Sequence, residues 1–305
     1  MNKGIQAKLP TSLKAILFLF LILLGLIETV LLTRFIFLAL HIPPEILNSD
    51  SLELSSKSIL AVRLSTLVQN IFLFFLPVVI LAYLCDLPTE RGFFKPRKNR
   101  LFSWGLIPIL WIVLNPFIAK IGLWNEAMHL PKGFYQLEEA IKASENQIDH
   151  IVEAMLKDKS LGSLCVNLFF IALIPAIGEE FFFRGGIQKF LVKIIPNPHI
   201  AILLGAILFS ALHFQFYGFL PRMVLGLVLG YLFYWSESIW TGIFFHFLNN
   251  GVQILLSNLG FEKGGREFPD WLDHPGIVLT LASLILSIII LTGLNRSYKK
   301  SELHA

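Results

Sequence analysis

Apolar runs of about twenty residues recur along this chain from near its start to near its end, and few folds accommodate that. The hydrocarbon core of a bilayer takes ~20 apolar residues of helix. Inside it every backbone polar group must be satisfied, and for runs of this length the helix does so within its own segment. The composition agrees: 55% of the 305 residues are hydrophobic and 15% are charged, against roughly 25% charged in soluble domains. The expected fold is therefore all-α: a polytopic membrane protein of about eight transmembrane helices, at 13–40, 58–84, 101–122, 161–192, 199–216, 219–235, 238–256 and 275–294. The first run, Ala15 to Leu40, is longer than a signal peptide's apolar region and has no small-residue cleavage site, so it reads as a retained span.

Charge placement orients these spans. Lys3, Lys8 and Lys14 precede the first; Arg91, Lys95, Arg97, Lys98 and Arg100 lie between the second and third; Lys189 and Lys193 close the fourth; Arg296, Lys299 and Lys300 follow the last. The positive-inside rule makes these segments cytoplasmic, with both termini inside. The opposite segments are balanced or acidic, with Glu45, Asp50 and Glu53, the long 123–160 stretch, and Glu262, Glu267, Asp270 and Asp273. The net charge of +4 thus speaks of topology and of a lipid bilayer, with no nucleic-acid partner expected. Cys85 and Cys165 fall at opposite membrane faces and are not expected to pair; no Cys-x-x-Cys is present to hold a metal through thiolates.

Leu137–Leu156 is not a span. Leu137, Ile141, Ile148, Ile151, Val152 and Met155 recur at helical spacing among Glu138, Glu139, Lys142, Glu145 and Asp149. That pattern predicts an amphipathic helix on the outer interface, a lid or spacer.

The costliest residues lie inside the fourth run. Residues 178–184 read Gly-Glu-Glu-Phe-Phe-Phe-Arg, and a charge at membrane depth costs ~2.5–3.5 kcal/mol even on the milder scales. Glu180 and Arg184 are four apart and are expected to pair; Glu179 is turned about 100° away and can face another helix. Polar residues recur later, with His213 in the fifth run and His246 and Asn250 four apart in the seventh. From the inner turn near 193–198, Glu179 lies about 13 residues back and His213 about 14 residues beyond. At ~1.5 Å per residue both reach ~20 Å into the bilayer, with His246 and Asn250 at ~12 and ~18 Å. The four are expected to converge.

A carboxylate and a histidine can hold and deprotonate a water; a second histidine and an amide can stabilise an oxyanion. This suits amide hydrolysis without a serine or cysteine nucleophile. The same donors could bind zinc, through Glu179, His213 and His246, although His-Glu-x-x-His is absent.

The ordered motifs Glu179-Glu180-x-x-x-Arg184, Phe209-x-x-x-His213 and His246-x-x-x-Asn250 resemble those of the CAAX protease and bacteriocin-processing family, also called the Abi family, which includes CAAX prenyl protease 2-like enzymes. The resemblance covers about residues 160–255. It implies an eight-helix intramembrane endopeptidase acting on a membrane-associated or lipidated peptide or protein. On this resemblance Glu179 is the general base, His213 its partner, His246 and Asn250 the oxyanion site, and Glu180 and Arg184 the supporting pair. No cofactor is expected, with zinc as the alternative. The chain then divides into 1–159, three spans plus the amphipathic helix; 160–256, the catalytic core; and 257–305, an external loop, the last span and a cytoplasmic tail. Compact loops favour a bacterial plasma membrane. The competing function is a non-catalytic immunity or scaffold protein of the same fold. Gly226-x-x-x-Gly230 predicts close helix packing.

Overall fold

The computed structural model describes residues 9–43, 54–85, 100–261 and 274–302. Lys3, Lys8, Glu45, Asp50, Glu53, Arg91, Lys95, Arg97, Lys98, Glu262, Glu267, Asp270 and Asp273, on which much of the orientation expectation rests, lie outside these residues, as do the side chains of Cys85, Arg100, Lys299 and Lys300. Among the described residues all regular structure is helical: α1 (Thr11–Ala39), α2 (Ser56–Gln69), α3 (Leu76–Cys85), α4 (Arg100–Glu126), α5 (Tyr135–Leu156), α6 (Leu161–Asn167), α7 (Ile174–Glu180), α8 (Lys189–Ile194), α9 (Pro198–Ala211), α10 (Phe219–Ser236), α11 (Ile239–Asn258) and α12 (Ile277–Glu302), with a short 3₁₀ turn at Lys132–Phe134. This is an all-α polytopic membrane fold. Among the described residues six helices are long and apolar enough to cross a bilayer: Thr11–Ala39, Ser56–Leu84, Trp104–Glu126, Leu161–Ile194, Phe219–Ser236 and Ile277–Tyr298. The two other expected spans are also helical; α9 is apolar but only 14 residues long, and α11 has 20 residues. On α1, Leu19, Phe20, Leu23, Ile27, Leu31 and Phe35 are exposed, as are Val278, Leu281, Ile285, Ile288 and Ile289 on α12. Apolar faces of that extent suit lipid.

The chain forms two compact units. The first holds the described residues of 1–91 and residues 146–190. Here α1 packs along α2 and α3, which are joined through a π-helical turn at Asn70–Phe75. Ser55 caps α2 and Ser160 caps α6, each hydroxyl accepting the amide three residues on, at 3.1 and 3.2 Å. The fourth expected span is one helix, Leu161–Ile194, widened into π turns at Leu168–Leu173 and Phe181–Gln188. Neither turn was legible in the sequence. The first sits just ahead of Pro175, which has no N–H to donate four residues back; the second includes the Gly185-Gly186 pair, weak helix formers. Phe rings bind the unit: Phe18 stacks on Phe190 (5.5 Å between centroids), Phe74 meets Phe182 (5.2 Å) and Phe75 meets Phe181 (4.9 Å). Toward the helix starts, Arg63 Nη2 donates to Asn167 Oδ1 (2.8 Å) and Asn167 Nδ2 donates to the Met155 carbonyl (2.8 Å).

The second unit holds residues 92–145 and 191–305 so far as they are described. Pro108 and Pro116 lie inside α4. Near the second, the hydroxyl of Ser283 on α12 accepts the Phe117 N–H (3.1 Å) and donates to the Val113 carbonyl (2.6 Å), bridging two groups that a regular helix would join directly. The close approach expected at Gly226 is borne out, since a methyl there would press on Ala206 and Phe209 of α9. The amphipathic helix is present as α5, two residues longer at its start than predicted.

Candidate active site

The acidic motif straddles the end of α7 and the second π turn of the fourth span. The expected pair forms: Arg184 Nη1 lies 3.0 Å from Glu180 Oε1. Both are buried, with Glu180 at 0% and Arg184 at 2% exposure. Charges buried this deeply persist when paired and further satisfied; the guanidinium also lies 5.8 Å from the Phe183 ring centre. Glu179 is half-buried. Beside it, Gly178 faces the carboxamide oxygen of Asn70, and any side chain at 178 would collide with that oxygen. Asn70 is itself buried and donates Nδ2 to the Thr66 carbonyl (2.9 Å). The glycine therefore lets the π turn of the second span lie against the helix one residue before Glu179.

In the second unit, one expectation needs correction. The expected span 199–216 includes His213, but α9 ends at Ala211 and His213 sits in the turn beyond it. The chain leaves the helix because Phe214 adopts a left-handed conformation, φ 54°, and the amides of His213 and Phe214 bond back to Ser210 and Ala211 in tightened turns. His213 Nδ1 lies 2.8 Å from the Phe209 carbonyl. A carbonyl only accepts, so Nδ1 carries the proton and Nε2 is left as the basic nitrogen. The buried Phe209 ring lies edge-on to both imidazoles, 5.2 Å from His213 and 5.9 Å from His246. Gly226 on α10 leaves room for this ring, which contacts both histidines.

His246 and Asn250 share a face of α11. His246 is buried and Asn250 half-buried. Asn249 donates Nδ2 to Asn250 Oδ1 (3.1 Å), and Trp111 Nε1 reaches Asn249 Oδ1 (3.4 Å). With its oxygen engaged, Asn250 presents its Nδ2 hydrogens as donors. Asn249 thus orients its neighbour's amide, which adjacency in sequence could hint at but not establish.

The turn after His213 has holders that sequence reasoning missed. The buried amide of Asn125 donates to the Phe216 carbonyl (2.8 Å) and accepts the Leu220 N–H (2.7 Å). Glu145 accepts the amides of Phe216 (2.6 Å) and Tyr217 (3.2 Å). Ser210 donates to the Phe219 carbonyl (2.6 Å), and Arg222 donates to Gln215 (2.6 Å). Glu138 takes a bond from Tyr217 Oη (3.0 Å), lies 2.9 Å from His129 Nδ1, and accepts from Lys142 (2.8 Å) and the Leu130 amide (3.0 Å). His129 first, then Lys142, with Tyr217 and the amide, hold the Glu138 carboxyl down to about 2. Asn125 was detectable as a polar residue near the end of an apolar span; Glu138 and Glu145 looked like an ordinary solvated face.

No curated protein and no solved structure matches the chain. A family match covers the middle of it and supports intramembrane endopeptidase activity in an integral membrane protein. Residues 161–252, which carry Glu179, Glu180, Arg184, His213, His246 and Asn250, match the type II CAAX prenyl endopeptidase Rce1-like family, the family that the three motifs resemble.

Proposed function

We propose that this protein is a glutamate-dependent intramembrane endopeptidase that cleaves a prenylated or otherwise lipid-bearing peptide near its C-terminus. Glu179 takes a proton from water, aided by His213 through Nε2, and the resulting hydroxide adds to the scissile carbonyl. His246 and the Asn250 Nδ2 group donate to the oxyanion. Collapse expels the amine, which takes the proton back from Glu179. Glu180 and Arg184 fix the helix that carries the base. The observation that carries the reading is the Phe209 cluster: one ring lies against two imidazoles, and a bonded carbonyl fixes the His213 tautomer. The family match over 161–252 supports the substrate class. The proposed membrane is a bacterial plasma membrane, with eight spans and both termini cytoplasmic.

The proposal is metal-free. Glu179 and His213 alone fall short of the three protein ligands usual for a catalytic zinc; zinc chemistry would need His246 as the third. A farnesylated peptide and its unprenylated twin, offered to purified protein, test the substrate class. Cleavage confined to the farnesylated form supports it; equal cleavage of both removes the lipid requirement. No cleavage by protein that binds the peptide favours the scaffold role.

A further inference from the structure

The His213 turn is strained and held from outside its own hairpin. Phe214 is a bulky residue at φ 54° and 82% exposed, so its own side chain does little to fix that conformation. Backbone conformations of this kind persist where surrounding contacts over-determine them. The contacts come from α5 and from the end of α4. Glu138 and Glu145 are seven residues, two helical turns, apart and so lie on one face of α5. Both grip the same dipeptide, Glu145 through the amides of Phe216 and Tyr217 and Glu138 through the Tyr217 hydroxyl. Asn125 holds the carbonyl of Phe216 and the amide of Leu220.

From this we infer that the amphipathic helix is a clamp on the catalytic turn, with Glu145 as a positioning residue for His213. The inference rests on the proposed role of His213. Two residues separate that histidine from the first amide Glu145 holds, and on the other side its own Nδ1 is bonded to the Phe209 carbonyl. Release of the turn displaces Nε2, and a shift of ~1 Å at a reacting group can lower a rate about 100-fold.

The test uses full-length protein in nanodiscs. Kinetics on the farnesylated peptide are paired with amide hydrogen exchange over 213–220, for wild type, Glu145→Leu, Glu145→Gln and Glu153→Ala. Glu145→Leu removes the acceptor and is expected to lower kcat about 10- to 100-fold with KM within about twofold, and to speed exchange at 214–220 but not within α9 or α10. Glu145→Gln keeps an acceptor oxygen and is expected to retain activity within about threefold, and Glu153→Ala to match wild type. If Glu145→Leu does not fold, Glu145→Asp carries the same expectations at smaller size. Unchanged exchange in the turn overturns the clamp; faster exchange with unchanged kcat overturns its catalytic meaning. His213→Ala with full activity would remove the functional reading instead, and exchange would still decide whether the clamp exists.

Discussion

Glu180 and Arg184 form an ion pair one helical turn apart, 3.0 Å between Oε1 and Nη1, with both side chains out of contact with solvent. Removing one partner leaves a buried charge uncompensated, at about 3–5 kcal/mol. Arg184→Met is therefore expected to lower the thermal midpoint in detergent sharply. The double variant Glu180→Gln/Arg184→Met, with no charge left to bury, is expected to recover most of the loss. A double variant as unstable as the single one would show that the pair is not the unit that matters.

Ser283 repairs the break that Pro116 introduces in α4. Ser283→Ala leaves the Phe117 amide and the Val113 carbonyl without their bridge, a loss of about 1–3 kcal/mol for a buried group. Adding Pro116→Ala lets the regular helical bond re-form, so Ser283→Ala is expected to be milder in that background. Thermal unfolding of the four proteins in the cycle measures the coupling; strict additivity would argue against the repair.

Phe214 pays for its left-handed backbone and buries little in return. The strain is about 1–2 kcal/mol for an L-residue, partly offset in a glycine variant by ~0.5–1 kcal/mol of greater unfolded freedom. Phe214→Gly is thus expected to raise stability slightly, by about 0.5–1 kcal/mol. A fall in the thermal midpoint would mean that the Phe214 ring makes a contact that matters.

Glu138 couples the Tyr217 end of the second unit to pH. Its carboxyl is held down to about 2 from an ordinary 4.5, first by His129 and then by Lys142. A depressed carboxyl contributes stability that is complete above the unfolded value and disappears as pH falls through the folded one. The stability difference between wild type and Glu138→Gln is therefore expected to be constant above about pH 4.5 and to shrink between there and about pH 2. A difference that does not change across that window would exclude the network as its source.

The helices were legible because apolar runs of bilayer length leave few alternatives, and α10 at Phe219–Ser236 matches its predicted span almost residue for residue. The Glu180–Arg184 pair followed from spacing alone. The π turns did not: Pro175 and Gly185-Gly186 weaken the helix at two of them, but whether it widens there depends on packing such as Phe74 against Phe182 and Asn70 against Gly178, which leaves no period in the sequence. The end of α9 at Ala211 was missed because apolar residues continue past it. The partners of Glu145 and Asn125 are backbone groups 71–72 and 91–95 residues away, and backbone groups carry no sequence signature.

On the proposed mechanism Glu179 activates the water. That step is tested most directly by cleavage of a farnesylated peptide by purified protein and by its Glu179→Gln variant, each with and without a zinc chelator. Cleavage is expected to survive chelation and to fall at least 1,000-fold in the variant, on the order of 4 kcal/mol of barrier. Cleavage abolished by chelator and restored by zinc, or a Glu179→Gln protein that cleaves as well as wild type, would contradict it.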